Sequence, residues 1–143
     1  YQVWQARAAG ADAILLIGEA LTPAEVMDLM ILASQLTLAV LLEVHSADTL
    51  LTLRSVIDFP QKHYSVLGVN NRDLATMTVD INNTARLADL IDDRSHLVAE
   101  SGIKTRQHVE KLIVVGVGAV LIGQTLCESP SIEEKFKELF GSS

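Results

Sequence analysis

Two carboxylates, an arginine and two glycine corners hold equivalent places in this chain, each directly after a short apolar run. Glu43 follows Leu38-Ala39-Val40-Leu41-Leu42, and Asn70-Asn71-Arg72-Asp73 follows Val66-Leu67-Gly68-Val69. Glu100-Ser101-Gly102 follows Val98-Ala99, and Gly123-Gln124 follows Ala119-Val120-Leu121-Ile122. Carboxylates so placed can take up and return a proton, and a guanidinium can hold an anion. A strand that stops at glycine leaves backbone N–H groups uncovered, which favours a phosphate. Each feature alone has an ordinary explanation: Glu43 as a surface carboxylate near Ser46, the Asn-Asn-Arg-Asp stretch as a polar turn, Glu100 as a partner of the turn after it. Together they predict a phosphate-binding edge of a parallel sheet with carboxylates beside it.

The bulk properties narrow the partners. The chain has 143 residues, of which 49% are apolar and 20% charged, enough for one domain with a real core. Its net charge of −7, with no basic stripe, argues against nucleic acid. No apolar run approaches the length of a membrane span, and no signal-peptide pattern opens the chain. The single cysteine, Cys127, rules out an internal disulfide and suits a reducing compartment, so cytoplasm is expected. Cys127 and Trp4 read as packing residues, and His63, His96 and His108 carry no case for function. Glu43-x-His45 lacks a third ligand, so no metal is expected.

The elements that must position these residues are legible from caps and periodicity. A helix over 2–9 closes at Gly10, and Ala13-Ile14-Leu15-Leu16-Ile17 is a buried strand. Thr22-Pro23-Ala24-Glu25 opens a helix with a capping box. Strands are predicted at 38–44, 66–69, 96–99 and 118–122. Ser46, Asp80, Thr105 and Ser131 are expected to cap the intervening helices, Phe59-Pro60 to break one, and Gly116 to close another.

The result is a helix and then five strand–helix units, which means a parallel sheet with right-handed crossovers. The sparse early glycines argue against a dinucleotide-binding open sheet. A (βα)₈ TIM barrel needs about 250 residues. The chain therefore reads as α/β, an incomplete barrel carrying about the last five units over residues 1–143 as a single domain, with three N-terminal strands missing. Tyr1 already lies inside a helical pattern, so the natural start is expected upstream. Open sheet edges would invite self-association.

Several blocks resemble the indole-3-glycerol phosphate synthase family: Gly10-Ala11-Asp12-Ala13-Ile14-Leu15-Leu16-Ile17, Leu42-Glu43-Val44-His45, Gly68-Val69-Asn70-Asn71-Arg72-Asp73-Leu74, Ala99-Glu100-Ser101-Gly102-Ile103 and Val120-Leu121-Ile122-Gly123. The resemblance implies a barrel lyase of tryptophan biosynthesis that decarboxylates and closes the ring of 1-(2-carboxyphenylamino)-1-deoxyribulose 5-phosphate, without a cofactor. It implies catalytic work for Glu43, Asn70 and Glu100, with Glu43 the acid–base group. It implies substrate contacts for Arg72, Leu15 and Leu121, and a phosphate site at Ser101, Gly102, Gly123 and Gln124. Gln124 departs from the serine or glutamate expected there, and Asn71 carries less weight. The family's catalytic lysines would precede Tyr1, so the isolated chain is expected to be inactive. The alternatives are another phosphate-binding barrel, such as a phosphoribosyl isomerase, and a non-catalytic half-barrel that assembles with a partner.

Overall fold

Apolar runs bounded by polar caps give the expected alternation. In the computed structural model, which describes residues 1–56 and 65–141, five parallel strands alternate with helices. The strands are β1 (Ala13–Ile17), β2 (Ala39–Val44), β3 (Ser65–Asn70), β4 (Leu97–Glu100) and β5 (Ala119–Leu121), and their order in the sheet is that of the chain. The chain divides into two compact units, Tyr1–Gly68 and Val69–Ser143. The expected break at Phe59-Pro60 lies outside the described residues.

In the first unit, helices α1 (Gln2–Ala8), α2 (Pro23–Gln35) and α3 (Ala47–Val56) flank β1 and β2. The two strands pair from Ala13 opposite Ala39 to Ile17 opposite Glu43. Side chains alternate between faces along a strand. Leu16, Val40, Leu42 and Val44 are buried with Val26, Ala33, Leu50 and Leu53. Leu15, on the other face, is 43% exposed. Trp4 was expected to pack, but it is 56% exposed, because Val3 is the buried residue of α1.

The local chemistry behind α2 is explicit. The Thr22 side chain accepts from the Glu25 N–H, and the Glu25 carboxylate accepts from the Thr22 N–H at 2.8 Å. The bond from the Thr22 N–H, and after it one from the Thr22 hydroxyl to the same carboxylate oxygen at 2.8 Å, hold the Glu25 carboxyl below its ordinary range. A depressed folded-state value means this stabilisation is present above the unfolded pKa and is lost as pH falls through the folded one. Thr22→Ala is expected to lower the unfolding free energy by about 1 kcal/mol near neutral pH. The difference from the parent should shrink in acid, as read by urea unfolding.

The second unit holds the end of β3, β4 and β5, with helices α4 (Asn83–Ala88), α5 (Arg106–Val115), α6 (Gln124–Cys127) and α7 (Ile132–Phe140). Its core joins Ala99, Ile103, Val109, Leu112 and Leu139. Thr105 and Ser131 cap α5 and α7 as predicted, and Gly116 closes α5 in the left-handed region. Three expectations are corrected. Asp80 does not cap α4: its carboxylate accepts from the Asn82 N–H in a turn one step earlier, and Asn82 holds the N-cap position without a side-chain bond to the helix. His96 belongs to a 3₁₀ turn (Arg94–His96), held by Asp93 accepting from Ser95 N–H, so β4 starts at Leu97. Cys127 is exposed on α6 rather than packed.

Candidate functional site

Beyond the ends of β3, β4 and β5 lies a cleft of about 330 Å³. Arg72, Val79, Ser101, Gly102, Leu121, Gly123 and Gln124 line it, together with Ile103, Lys104, Ile122 and Thr125. Six residues singled out in the sequence for substrate or phosphate binding therefore meet at one place: Arg72, Ser101, Gly102, Leu121, Gly123 and Gln124. The charged residues of the lining are two cations, Arg72 and Lys104, in a chain of net charge −7. Neither forms an ion pair among the described residues. Such a cleft attracts anions.

The wall after β4 is shaped by two successive left-handed residues, Ser101 at φ 61° and Gly102 at φ 74°. Glycine tolerates this conformation, whereas serine pays on the order of 1 kcal/mol. A side chain at Gly102 would also collide with Val79, a Cβ lying 2.5 Å from Val79 Cγ1. What holds Ser101 is Asn71. Its Nδ2 donates to the Ser101 carbonyl at 3.1 Å, while its Oδ1 accepts from Thr84 N–H at 3.0 Å and Thr84 Oγ1 at 2.8 Å. The Asn71 N–H donates to Glu100 O at 2.9 Å, and Asn71 is fully buried. This residue, given little weight in the sequence, ties β3, α4 and the turn after β4 together.

Arg72 reaches the cleft from a turn that the sequence did not resolve. Residues 73–78 fold back so that Arg72 and Val79 bridge, with Asp73 N–H donating to Thr78 O at 2.9 Å. Arg72 Nη2 donates to Gln124 Oε1 at 2.9 Å. Lys104 and His108 were also passed over. His108 Nδ1 stands 3.2 Å from both the Lys104 N–H and the Gly102 carbonyl oxygen. The neutral ring with its proton on Nε2 accepts from Lys104, and a proton on Nδ1 would turn the bond to Gly102. Thr125 Oγ1 donates to Ile103 O at 2.8 Å and fixes the far side of the same loop.

Asn70 and Glu100, both buried, end β3 and β4 next to the cleft rather than in its lining. Asn70 Oδ1 accepts from Arg72 N–H at 2.8 Å, so it shapes the start of the arginine's turn. Glu100 pairs in register with Leu121, and the two share a sheet face, with Leu121 44% exposed. The opposite face carries Ala99 and Val120, packed into the helix-covered core.

Glu43 and Leu15 belong to the first unit, where they share the less covered face of paired strands. Glu43 itself is 6% exposed, and a carboxylate that deeply placed at a strand end is uncommon. Gly18 follows β1, where a Cβ would lie 3.1 Å from Glu43 O and 2.8 Å from Leu53 Cδ1, so only glycine lets this turn approach the end of β2. Glu19, on that turn, accepts from the His45 and Ser46 N–H groups at 2.7 and 3.1 Å. The segment after Glu43 is thereby fixed. Among the described residues no cluster of His, Cys, Asp or Glu suits a metal ion.

The family description "Indole-3-glycerol phosphate synthase" matches residues 1–139. The chain belongs to the indole-3-glycerol phosphate synthase family. It is 41% identical over 140 residues to the synthase of Dehalococcoides mccartyi strain 195, covering 97% of this chain and 51% of that one. It is 42% identical over 143 residues to that of Acidithiobacillus ferrooxidans strain ATCC 53993, covering 98% and 51%. The synthase of Roseiflexus sp. strain RS-1 is 42% identical over 145 residues, covering 100% and 52%. The chain thus spans about half the length of these relatives. A chain of the Amycolatopsis orientalis BexX/CysO complex has a similar fold, with a TM-score of 0.56 at 16% identity over 82% of this chain and 46% of that one. Among the described residues no helix is long and apolar enough to cross a membrane.

Proposed function

We propose that this chain supplies the phosphate-holding part of an indole-3-glycerol phosphate synthase site, formed by the last five units of the barrel. In the family's reaction the anilino ring carbon that bears the carboxylate bonds to C2 of the deoxyribulose chain. Carbon dioxide leaves, its bonding pair returns to the ring, and the C2 oxygen departs as water. The substrate's phosphate sits between Arg72, Lys104 and the turn of Ser101 and Gly102. Leu121 offers apolar surface to the aromatic ring, and the family resemblance implies the same role for Leu15. Glu43 moves protons, while Asn70 and Glu100 orient the reacting chain. The working compartment is the cytoplasm.

The observation that carries this reading is the cleft whose charged lining is wholly cationic in an acidic chain of this family. Dehydration at C2 needs a proton delivered to the leaving oxygen. Among the described residues the only lysine lining the cleft is Lys104, which follows the turn rather than ending a strand. Purified residues 1–143 are therefore expected to bind phosphate but not to turn over the anilino-deoxyribulose phosphate in an indole-fluorescence assay. Measurable turnover by these residues alone would overturn the absent-acid part of the reading.

A further inference from the structure

His108 joins the turn that walls the cleft to a second cavity. It lines a groove of about 570 Å³ between α4 and α5, while its ring nitrogen touches the backbone of residues 102–104. Thr105 accepts from the His108 N–H, which seats the ring in the first turn of α5. His108 Nδ1 lies 3.2 Å from the Lys104 nitrogen and 3.2 Å from the Gly102 carbonyl oxygen. One nitrogen cannot serve both partners at once. Unprotonated it accepts from Lys104, and protonated it donates to Gly102. Gly102 and Ile103, which share the peptide of that carbonyl, both line the cleft.

We propose that His108 is a positioning residue that tightens the cleft's hold on an anion when its ring takes up a proton. The proposal deepens the reading of the cleft as a phosphate site and rests on it. In the neutral state Nδ1 holds the Lys104 N–H. On protonation the bond passes to the Gly102 carbonyl, and a positive charge appears behind a wall whose charged residues are Arg72 and Lys104. A bond to that carbonyl also polarises the Gly102–Ile103 peptide and strengthens its N–H as a donor. Both effects favour an anion, and by linkage a bound anion favours the protonated ring. Of the charged groups, Lys104 approaches the ring from the turn, and Glu110 and Lys111 of α5 line the groove. Glu110 pairs with Arg106 at 2.9 Å. On the α4 side stand Ile81, Asn82 and Ala85, which do not titrate. Histidine is the side chain whose ordinary charge change falls between about pH 5 and 8.

The test follows inorganic sulfate binding by NMR titration at about pH 5.5 and about pH 8, in the full chain and in His108→Asn and His108→Ala. Sulfate keeps its double charge over this range, so the protein alone titrates. The unsubstituted chain is expected to bind about threefold more tightly at the acid end. His108→Asn keeps an acceptor for the Lys104 N–H but cannot become charged. Its affinity should match the parent's at the alkaline end and stay level as pH falls. His108→Ala should be level as well, which guards against a poor fit of asparagine. The nitrogen NMR spectrum of the ring gives a readout that a packing role would not move. It should show the proton on Nε2 at the alkaline end, and with sulfate bound the second proton should arrive at higher pH. The same pH dependence in parent and variants, or a neutral ring protonated on Nδ1, would overturn the role of His108 while leaving the anion site standing. Failure of the unsubstituted chain to bind sulfate at either pH would overturn the reading of the cleft, and the proposal with it.

Discussion

Asn71→Ala is expected to cost about 3–4 kcal/mol of stability, the largest effect of any polar substitution in the second unit. The side chain is fully buried and makes three hydrogen bonds, to Ser101 O, Thr84 N–H and Thr84 Oγ1. Alanine would remove all of them and leave buried partners unsatisfied, which is costlier than losing the bonds themselves. Thr84→Val supplies the comparison. It deletes the hydroxyl contact but keeps the bond to Ser101, and about 1 kcal/mol is expected. Urea unfolding reads both. The functional consequence separates them further, because Ser101 is held in the left-handed region only while Asn71 grips its carbonyl. Asn71→Ala should therefore weaken phosphate binding under conditions where it remains folded, and Thr84→Val should not.

Removing the cations of the cleft is expected to act on binding and hardly on stability. Arg72 and Lys104 have no carboxylate partner within ion-pair distance among the described residues, so their loss strands no opposite charge. Charge-assisted bonds to an anion contribute roughly 1.5–3 kcal/mol each, less where solvent screens them. Arg72→Ala and Lys104→Ala should each weaken phosphate binding about tenfold, and the double variant by about a hundredfold at low salt. The loss should shrink as ionic strength rises. Calorimetric titration in two salt concentrations measures it. Equal affinity of parent and double variant would mean that the anion, if bound, sits elsewhere.

Much of the scaffold was legible because it depends on local chemistry. The capping box at Thr22, the caps at Thr105 and Ser131 and the closing glycine at Gly116 each act within one helical turn, and each is formed. Strands showed as apolar runs because neighbours cover them. That Arg72, Ser101, Gly102, Leu121, Gly123 and Gln124 line one cleft was legible too, since strand-end position carries the information. What escaped depends on partners distant in sequence. Asn71 looks like any turn asparagine until it meets Ser101, 30 residues on. Arg72 and Gln124 are 52 residues apart, and nothing local marks them as a pair. Lys104 and His108 look like surface residues of a helix start, yet Lys104 lines the cleft and His108 contacts the Gly102 carbonyl behind it. Asp80 misled for a similar reason: an aspartate before a helical pattern can serve the turn ahead of the helix as well as the helix itself.

The central claim is that the Ser101–Gly102 turn, with Arg72 and Lys104, holds a phosphate. Its most direct measurement is an amide-resolved NMR titration of residues 1–143 with inorganic phosphate at low ionic strength. Saturable shifts confined to Arg72, residues 101–104 and residues 123–125, with an affinity on the order of millimolar, are expected for so small a ligand. Shifts spread evenly over the surface, or none at these amides while basic residues elsewhere respond, would contradict the account.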